Sequence, residues 1–552
     1  MITSPIDSIR RAIGTVSRSS VLQFCLATAL ALTYLALVRV YWGQINDDAF
    51  ITFRYSKFLA TGAGPYYNVG EHVEGYTNFL LMLLLSGVIR CFGEDNVLIG
   101  AKWIGVGAGL ASVWIAWALA SDLLRRNERI AAAADWIGAC AGLIVATDCA
   151  FAVNSTTGLE TTLFAACISA GIYLAQGASG RFWNGAGIAF GLAALTRPEG
   201  ALLFVLACVG RGLAGELRAP PGRRALLTDV LVVSLVISTH TILRYWLYDG
   251  EILPNTYFAK MGGFDWRFSS WGYVWGFAAT HLGGIAAAIA LLPLLGPEGL
   301  RRAALPSVLL VAWGLASVFV TGTDWMIAYR LLVPYLPLWA ALAVAGISVV
   351  GVRSTSRPVA STAFAACALA VALFLVQINT AGFYQWYCQL RRVGYIEGHH
   401  AAAQWINERG QPGQSIALMD IGIVGYRCFG FNVLDITGLT DRYIAKSPGP
   451  FLRKDFDPNY ILKQQPQFIV ISYALPADAV LPKDLERLQP WTDIEERIVQ
   501  HPEFAAHYTR RRPAGANGDE LDLLAASLGA EAAFRHRHPG PQLFLLIYEH
   551  HT

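Results

Sequence analysis

Two adjacent acids, Asp47 and Asp48, follow the first long apolar stretch of the chain directly. Carboxylates so placed can serve as a general base for a hydroxyl, since proton transfer needs only contact distance and a tuned pKa. Asp48 can instead cap the helix that follows, with Asp47 solvated, and the pair leaves a divalent cation open. Cations that could complement such acids lie far along the chain. Arg197, in Thr196-Arg197-Pro198-Glu199-Gly200, interrupts an apolar run; a guanidinium is costly near hydrocarbon and offers a bidentate fork suited to phosphate. Lys260, at the end of Pro254-Asn255-Thr256-Tyr257-Phe258-Ala259-Lys260, can hold a phosphate as a point charge or snorkel beside interfacial aromatics. His240 and Arg244 share a helix face four residues apart; Arg244 can reach the same phosphate, whereas His240 reads as a core residue.

The remaining polar motifs suit hydroxyl-rich ligands. Glu74, Tyr76 and Asn78 lie in Val73-Glu74-Gly75-Tyr76-Thr77-Asn78, and Asn255 precedes Lys260. Thr157-Gly158-Leu159-Glu160 fits a capping box, with sugar binding by Glu160 as the alternative. Asp324 and Trp325 stand just before Arg330: a carboxylate beside an aromatic ring can bond and stack a sugar, or be a cap beside an interfacial Trp. No Walker phosphate loop and no zinc-type Cys/His spacing occur.

These residues must be positioned by a membrane protein. Of 552 residues, 55% are hydrophobic and only 15% charged, against about 25% charged in soluble domains. Apolar blocks at 20 to 42, 98 to 120, 226 to 246, 303 to 321 and 358 to 380 have the ~20-residue length that crosses a hydrocarbon core. A net charge of +3 gives no reason to expect nucleic acid. Residues 1 to 19 lack a small-residue cleavage site, so the first span is expected to be a retained anchor. The positive-inside rule puts the Arg clusters at 125 to 129, 211 to 224, 301 to 302 and 353 to 357 in the cytoplasm if 79 to 92 does not cross. The expectation is an α-helical polytopic protein of about 11 transmembrane helices. Residues 1 to 380 form the transmembrane domain, with a first outer loop at 43 to 97 whose helices lie in the interface. Thr196 to Gly200 joins two short helices near the outer surface. Residues 381 to 552 form a periplasmic α/β domain with strand-like runs at 415 to 419, 467 to 473 and 542 to 548. Seven cysteines lie in or beside apolar segments; Cys388 and Cys428 could pair in an oxidising periplasm, which the sequence leaves open.

Drawn this way, the polar motifs gather at one membrane face, whereas a transporter would place polar groups nearer the midplane. The run Asn46 to Tyr55 followed by Val73 to Asn78 resembles the first outer loop of the GT-C superfamily of polyprenyl-phosphate-sugar glycosyltransferases, closest to the bacterial arabinofuranosyltransferase branch. Gly158 to Thr161, Thr196 to Gly200, Pro254 to Lys260, Gly322 to Met326 and Asp435-Ile436-Thr437-Gly438-Leu439-Thr440-Asp441 extend the resemblance over nearly the whole chain. It implies a GT-C fold in a bacterial inner membrane, with a first-loop acid, Asp47 or Asp48, as catalytic base. Arg197 would hold the lipid phosphate, with Lys260 and Arg244 added from the residues themselves. The donor implied is a decaprenyl-phospho-arabinose-type lipid and the acceptor a periplasmic glycan or protein. The alternatives are a mannose or other hexose donor on the same fold, and a membrane transporter.

Overall fold

The computed structural model describes residues 18–176, 185–261, 270–324, 326, 328–354, 356–391, 395–475, 489–511 and 542–551. Its helices, in chain order, are α1 Arg18–Val40, α2 Asp47–Ala60, α3 Phe79–Phe92, α4 Val97–Arg125, α5 Ala134–Ala146, α6 Cys149–Asn154, α7 Thr161–Gln176, α8 Ala186–Thr196 and α9 Glu199–Leu213. They continue as α10 Pro220–Leu247, α11 Asn255–Lys260, α12 Ser270–Ala279, α13 Gly284–Leu291, α14 Glu298–Thr321, α15 Leu336–Ser354, α16 Pro358–Arg391, α17 Glu397–Arg409 and α18 Ile421–Arg427.

Among the described residues six helical stretches are long and apolar enough to cross a membrane, and α12 with α13, bent by 82° at their break, make a seventh if they are one span. The chain is a multi-pass membrane protein. Shorter apolar helices, α3, α5, α7 and α8, lie between them, and the eleven crossings expected from the sequence exceed the six or seven that length and composition support among the described residues. Small residues let these helices approach closely, as membrane helix packing favours: a Cβ at Gly109 of α4 would overlap the Tyr34 hydroxyl of α1, and one at Gly105 the Ser155 carbonyl. The last long helix runs to Arg391, ten residues past the expected domain boundary, and α17 opens the C-terminal unit.

That unit is built on a sheet of order β2-β1-β3-β6-β5, with β4 pairing beside β3. The strands are β1 Ser415–Leu418, β2 Asn432–Asp435, β3 Phe468–Leu475, β4 Gln489–Pro490, β5 Tyr508–Arg511 and β6 Gln542–His550. β2, β1 and β3 run parallel, and β6 is antiparallel to β3. Side chains alternate across a strand, and here the alternation divides two cores. Ala417, Leu434, Ile469 and Ile471 pack on Ile461, Ile494, Ile498 and Phe504. Ile416, Leu418, Val433, Phe468 and Val470 pack on Trp405 and Ile406 of α17 and, from the first loop, on Ile51, Tyr55, Tyr67, Tyr76 and Met82. One face of the sheet is thus completed by the membrane part of the chain.

The expected interfacial helix α2 is accordingly buried beneath the C-terminal domain. Arg54 is 1% exposed. Its Nε donates to the Tyr67 carbonyl at 2.7 Å and its Nη atoms to the carbonyls of Gly425, Cys428 and Phe431. Asp47, seven residues earlier on α2, accepts from the amides of Gly422 (3.0 Å) and Ile423 (2.7 Å) at the start of α18. Seven residues make about two helical turns, or roughly 10.5 Å, which is also the length of the seven-residue α18. The acid meets the N-terminal amides and the base the C-terminal carbonyls, the pairing a helix dipole favours. A Cβ at Gly422 would overlap the Asp47 carbonyl, so only glycine permits this approach.

Cys388 and Cys428 are both buried and neither is in a disulfide, Cys428 lying beside the Ala403 carbonyl; the pairing left open by the sequence does not form. Replacing Arg54 by Met strips the donor from four buried carbonyls and is expected to cost about 3–5 kcal/mol. Thermal unfolding of the purified protein in detergent measures this, and Arg54→Lys should recover little, because an ammonium cannot reproduce the planar fork.

Candidate active site

Asp47 and Asp48 are neighbours in sequence but not in role. The N-cap of α2 is Asn46, whose side chain accepts from the Asp48 amide at 3.1 Å, so Asp48 is not the cap. Asp47 points into the C-terminal domain, with both carboxylate oxygens engaged by amides. Burial raises its carboxyl from the ordinary 3.8 to about 6, against the opposing influence of His399 and the Ile423 amide. His399 stands behind it with Nε2 at 3.3 Å from Asp420. Burial disfavours its imidazolium, but Asp420 and Asp47 outweigh that and raise its pKa.

Successive helical residues are turned by about 100°, and Asp48 faces the other way, into a charged recess. Its carboxylate makes no hydrogen bond or ion pair among the described residues; burial raises its pKa, and the charges of Arg330 and Lys260 oppose the rise. Lys260, at the exposed end of α11, also lacks a hydrogen bond or ion pair among the described residues, its ammonium lying 5.8 Å from the Phe451 ring centre. Arg330 is paired with Asp324, whose other oxygen accepts from the Met326 amide at 3.2 Å. Arg197 sits in the turn between α8 and α9, 2.7 Å from Glu199 and 4.0 Å from Glu160. Asn78 closes this wall, donating to Glu160 at 3.1 Å and accepting from Thr52 at 3.1 Å. Glu160 therefore does not complete the capping box expected at Thr157; its side chain is drawn to Asn78 and Arg197, and α7 begins one residue later. Arg330, not singled out from the sequence as a site residue, is the cation whose charge acts most strongly on Asp48. Its signal was an arginine six residues past an acid, at the start of an apolar stretch.

Four predicted site residues are engaged elsewhere. Arg244 binds Glu74 through two nitrogens, at 2.5 and 3.2 Å, so its fork is occupied by a buried carboxylate. Tyr76 bonds the Tyr248 hydroxyl at 3.0 Å. Asn255 donates to the carbonyls of Gly438, Leu439 and Asp441, clamping the membrane part to the turn that Asp435 organises by accepting from Thr437 and Thr440. His240 packs on the Phe79 ring, centroids 4.5 Å apart. Trp325 lies outside the described residues. The divalent cation left open at the acidic pair does not fit: Asp47 and Asp48 diverge, and no group of three or more His, Cys, Asp or Glu side chains suited to a metal occurs among the described residues.

Solved membrane enzymes resemble the chain over most of its length. ArnT from Cupriavidus metallidurans bound to undecaprenyl phosphate superposes with a TM-score of 0.53 at 14% identity, covering 81% of this chain and 93% of that one. The oligosaccharyltransferase of Archaeoglobus fulgidus, in complex with Zn and sulfate, gives 0.54 at 12% identity, covering 95% and 88%. The same archaeal enzyme, AglB, with an inhibitory peptide and a dolichol-phosphate gives 0.54 at 10% identity, covering 96% and 88%. The chain shares the fold of these membrane enzymes. Residues 378–518 match the family model described as "Domain of unknown function (DUF8728)", which takes in most of the α/β unit. None of the curated proteins compared matches the sequence.

Asp47 and His399 both bind their protons more tightly in the folded protein than in the unfolded chain. Each therefore contributes stability that is present below its unfolded value and lost as pH rises through its folded value. The docking of α2 should weaken as pH rises from about 4 to about 6 through Asp47, and further above 6.5 through His399. Melting temperatures across this range test it: Asp47→Asn should flatten the lower part of the slope and reduce the upper part to what Asp420, without Asp47, imposes on His399.

Proposed function

We propose that the chain is a membrane glycosyltransferase that moves a sugar from a polyprenyl-phosphate donor to a hydroxyl on a glycan or protein, on the membrane face that carries the C-terminal domain. The observation that carries this reading is Asp48, a carboxylate without a hydrogen-bond partner among the described residues, set beside the unpaired Lys260 and the Arg330–Asp324 pair. An acid left open next to cations suits a reaction in which a proton is removed on one side while negative charge develops on the other. The bound undecaprenyl phosphate of ArnT and dolichol-phosphate of AglB support a lipid phosphate as the leaving group.

In this mechanism the acceptor oxygen attacks the anomeric carbon and its proton passes to Asp48. The bond from that carbon to the phosphate oxygen breaks, and the electron pair leaves with the polyprenyl phosphate. Lys260, Arg330 and Arg197 stabilise the departing charge, an effect strengthened where water is scarce. Asn78, Glu160 and Asp324 supply hydrogen-bond acceptors and donors for sugar hydroxyls, and Asp47 positions Asp48 by fixing the start of α2. The resemblance of the first loop favours D-arabinofuranose as the sugar, decaprenyl-phospho-arabinose as the donor type, and the periplasmic face of a bacterial inner membrane as the place.

Membranes containing the protein, supplied with polyprenyl-phospho-arabinose and polyprenyl-phospho-mannose in competition, should transfer the pentose. Asp48→Asn should lower the rate at least about 100-fold, the scale of a lost general base, and Lys260→Met should raise the donor KM. Full activity in Asp48→Asn would overturn the mechanism; transfer of the hexose alone would move the assignment to the other donor.

A further inference from the structure

The C-terminal domain meets the recess at a particular place in its sheet. Strand order β2-β1-β3 reverses between β1 and β3, and in open α/β sheets the crevice outside the carboxyl ends at such a reversal is where ligands bind. β3 extends five residues beyond Val470, the partner of Leu418 at the end of β1. Glu495 fills part of the resulting notch, accepting from the Ser472 amide at 2.7 Å and from Thr492. The amides of α18 that would otherwise face the notch are taken by Asp47. What remains there is Asp420, two residues past β1, with its side chain 22% exposed among buried neighbours.

Asp420 is held from one side only. His399, 1% exposed, points Nδ1 at the Tyr395 carbonyl at 2.6 Å and Nε2 toward Asp420 at 3.3 Å, yet Nε2 completes no hydrogen bond in the structure. No other group among the described residues bonds the Asp420 carboxylate. Its charge acts on Asp47, Asp48 and Glu495, while the acids acting on Lys260 and Arg330 are Asp48, Asp324 and Glu160. Asp420 and the cations Arg330 and Lys260 all lie near enough to Asp48 for their charges to act on it. An ionised carboxylate accepts through two oxygens and donates nothing, which matches adjacent hydroxyls of a saccharide.

We propose that Asp420, positioned by His399, is an acceptor-binding residue: its carboxylate receives hydroxyl hydrogens of the incoming glycan in the notch between β1 and β3. This rests on the glycosyl-transfer reading above. The C-terminal domain would then set acceptor choice, leaving donor choice to the membrane part.

The test is initial-rate kinetics on the full-length protein in membranes, with polyprenyl-phospho-arabinose as donor and a synthetic octyl arabinofuranose disaccharide as acceptor. Asp420→Asn should raise the acceptor KM at least about tenfold, the size of one lost charge-assisted hydrogen bond, and leave the donor KM within about twofold, which also shows that the variant is folded. Asp420→Glu should fall between. His399→Asn should raise the same KM by less and add nothing to Asp420→Asn. Wild-type transfer with an unchanged acceptor KM in Asp420→Asn would overturn the inference and leave the reaction standing. If the wild type transfers neither sugar, the reaction assignment fails, and binding of the disaccharide to the full-length protein by saturation-transfer NMR decides: binding lost in Asp420→Asn upholds the inference, and binding absent from the wild type or kept in the variant overturns it.

Discussion

The rest of the molecule is organised around one short helix gripped at both ends by another. α18 offers free amides at its start and free carbonyls at its end, as every helix does. α2 answers the first with Asp47 and the second with Arg54. Burying either charge alone would be costly, and each is made tolerable by several backbone partners. The glycine at 422 allows the two helices to touch, and the apolar side chains around them, from Ile51 to Val470, then close a shared core. Without this contact the first loop would have no rigid seat and the sheet would expose one face.

The same contact explains how two adjacent acids come to differ. Once Asp47 is fixed to the domain, the helical turn between neighbours aims Asp48 at Lys260 and Arg330. Under the proposed mechanism, structure and chemistry fall to separate residues of a pair that looks equivalent on paper. The clamp of Asn255 on the turn at 438 to 441, and the burial of Glu74 against Arg244, hold the neighbouring wall in register. The recess is a seam between two parts of the chain rather than a cleft within either.

Much of the fold was legible because it is written in one-dimensional patterns. Apolar blocks read as spans, the break at Arg197-Pro198 read as two short helices, and alternating runs read as β1, β3 and β6. β2, β4 and β5 lack a marker such as the apolar run Ile416 to Met419 that reveals the equally short β1. The site was legible only in part, since a polar motif looks alike whether it touches a ligand or a neighbouring domain. Val73 to Asn78, Pro254 to Lys260 and Asp435 to Asp441 are largely docking surfaces, yet Asn78 and Lys260 within them face the recess. The first-loop helix that carries Arg54 read as interfacial because the domain that covers it lies far downstream. Only the fold reveals that a guanidinium so placed is reading carbonyls.

That separation bears on how the protein is made. The Asp47 carboxylate and its partner amides are 375 and 376 residues apart. At synthesis rates of about 5–20 residues per second, on the order of 20–75 seconds pass between their emergence. Throughout that interval the first loop waits without its seat, and Asp48 has no fixed direction. The proposed centre is incomplete while the chain is being threaded into the membrane, and it forms only when the C-terminal unit closes over the first loop.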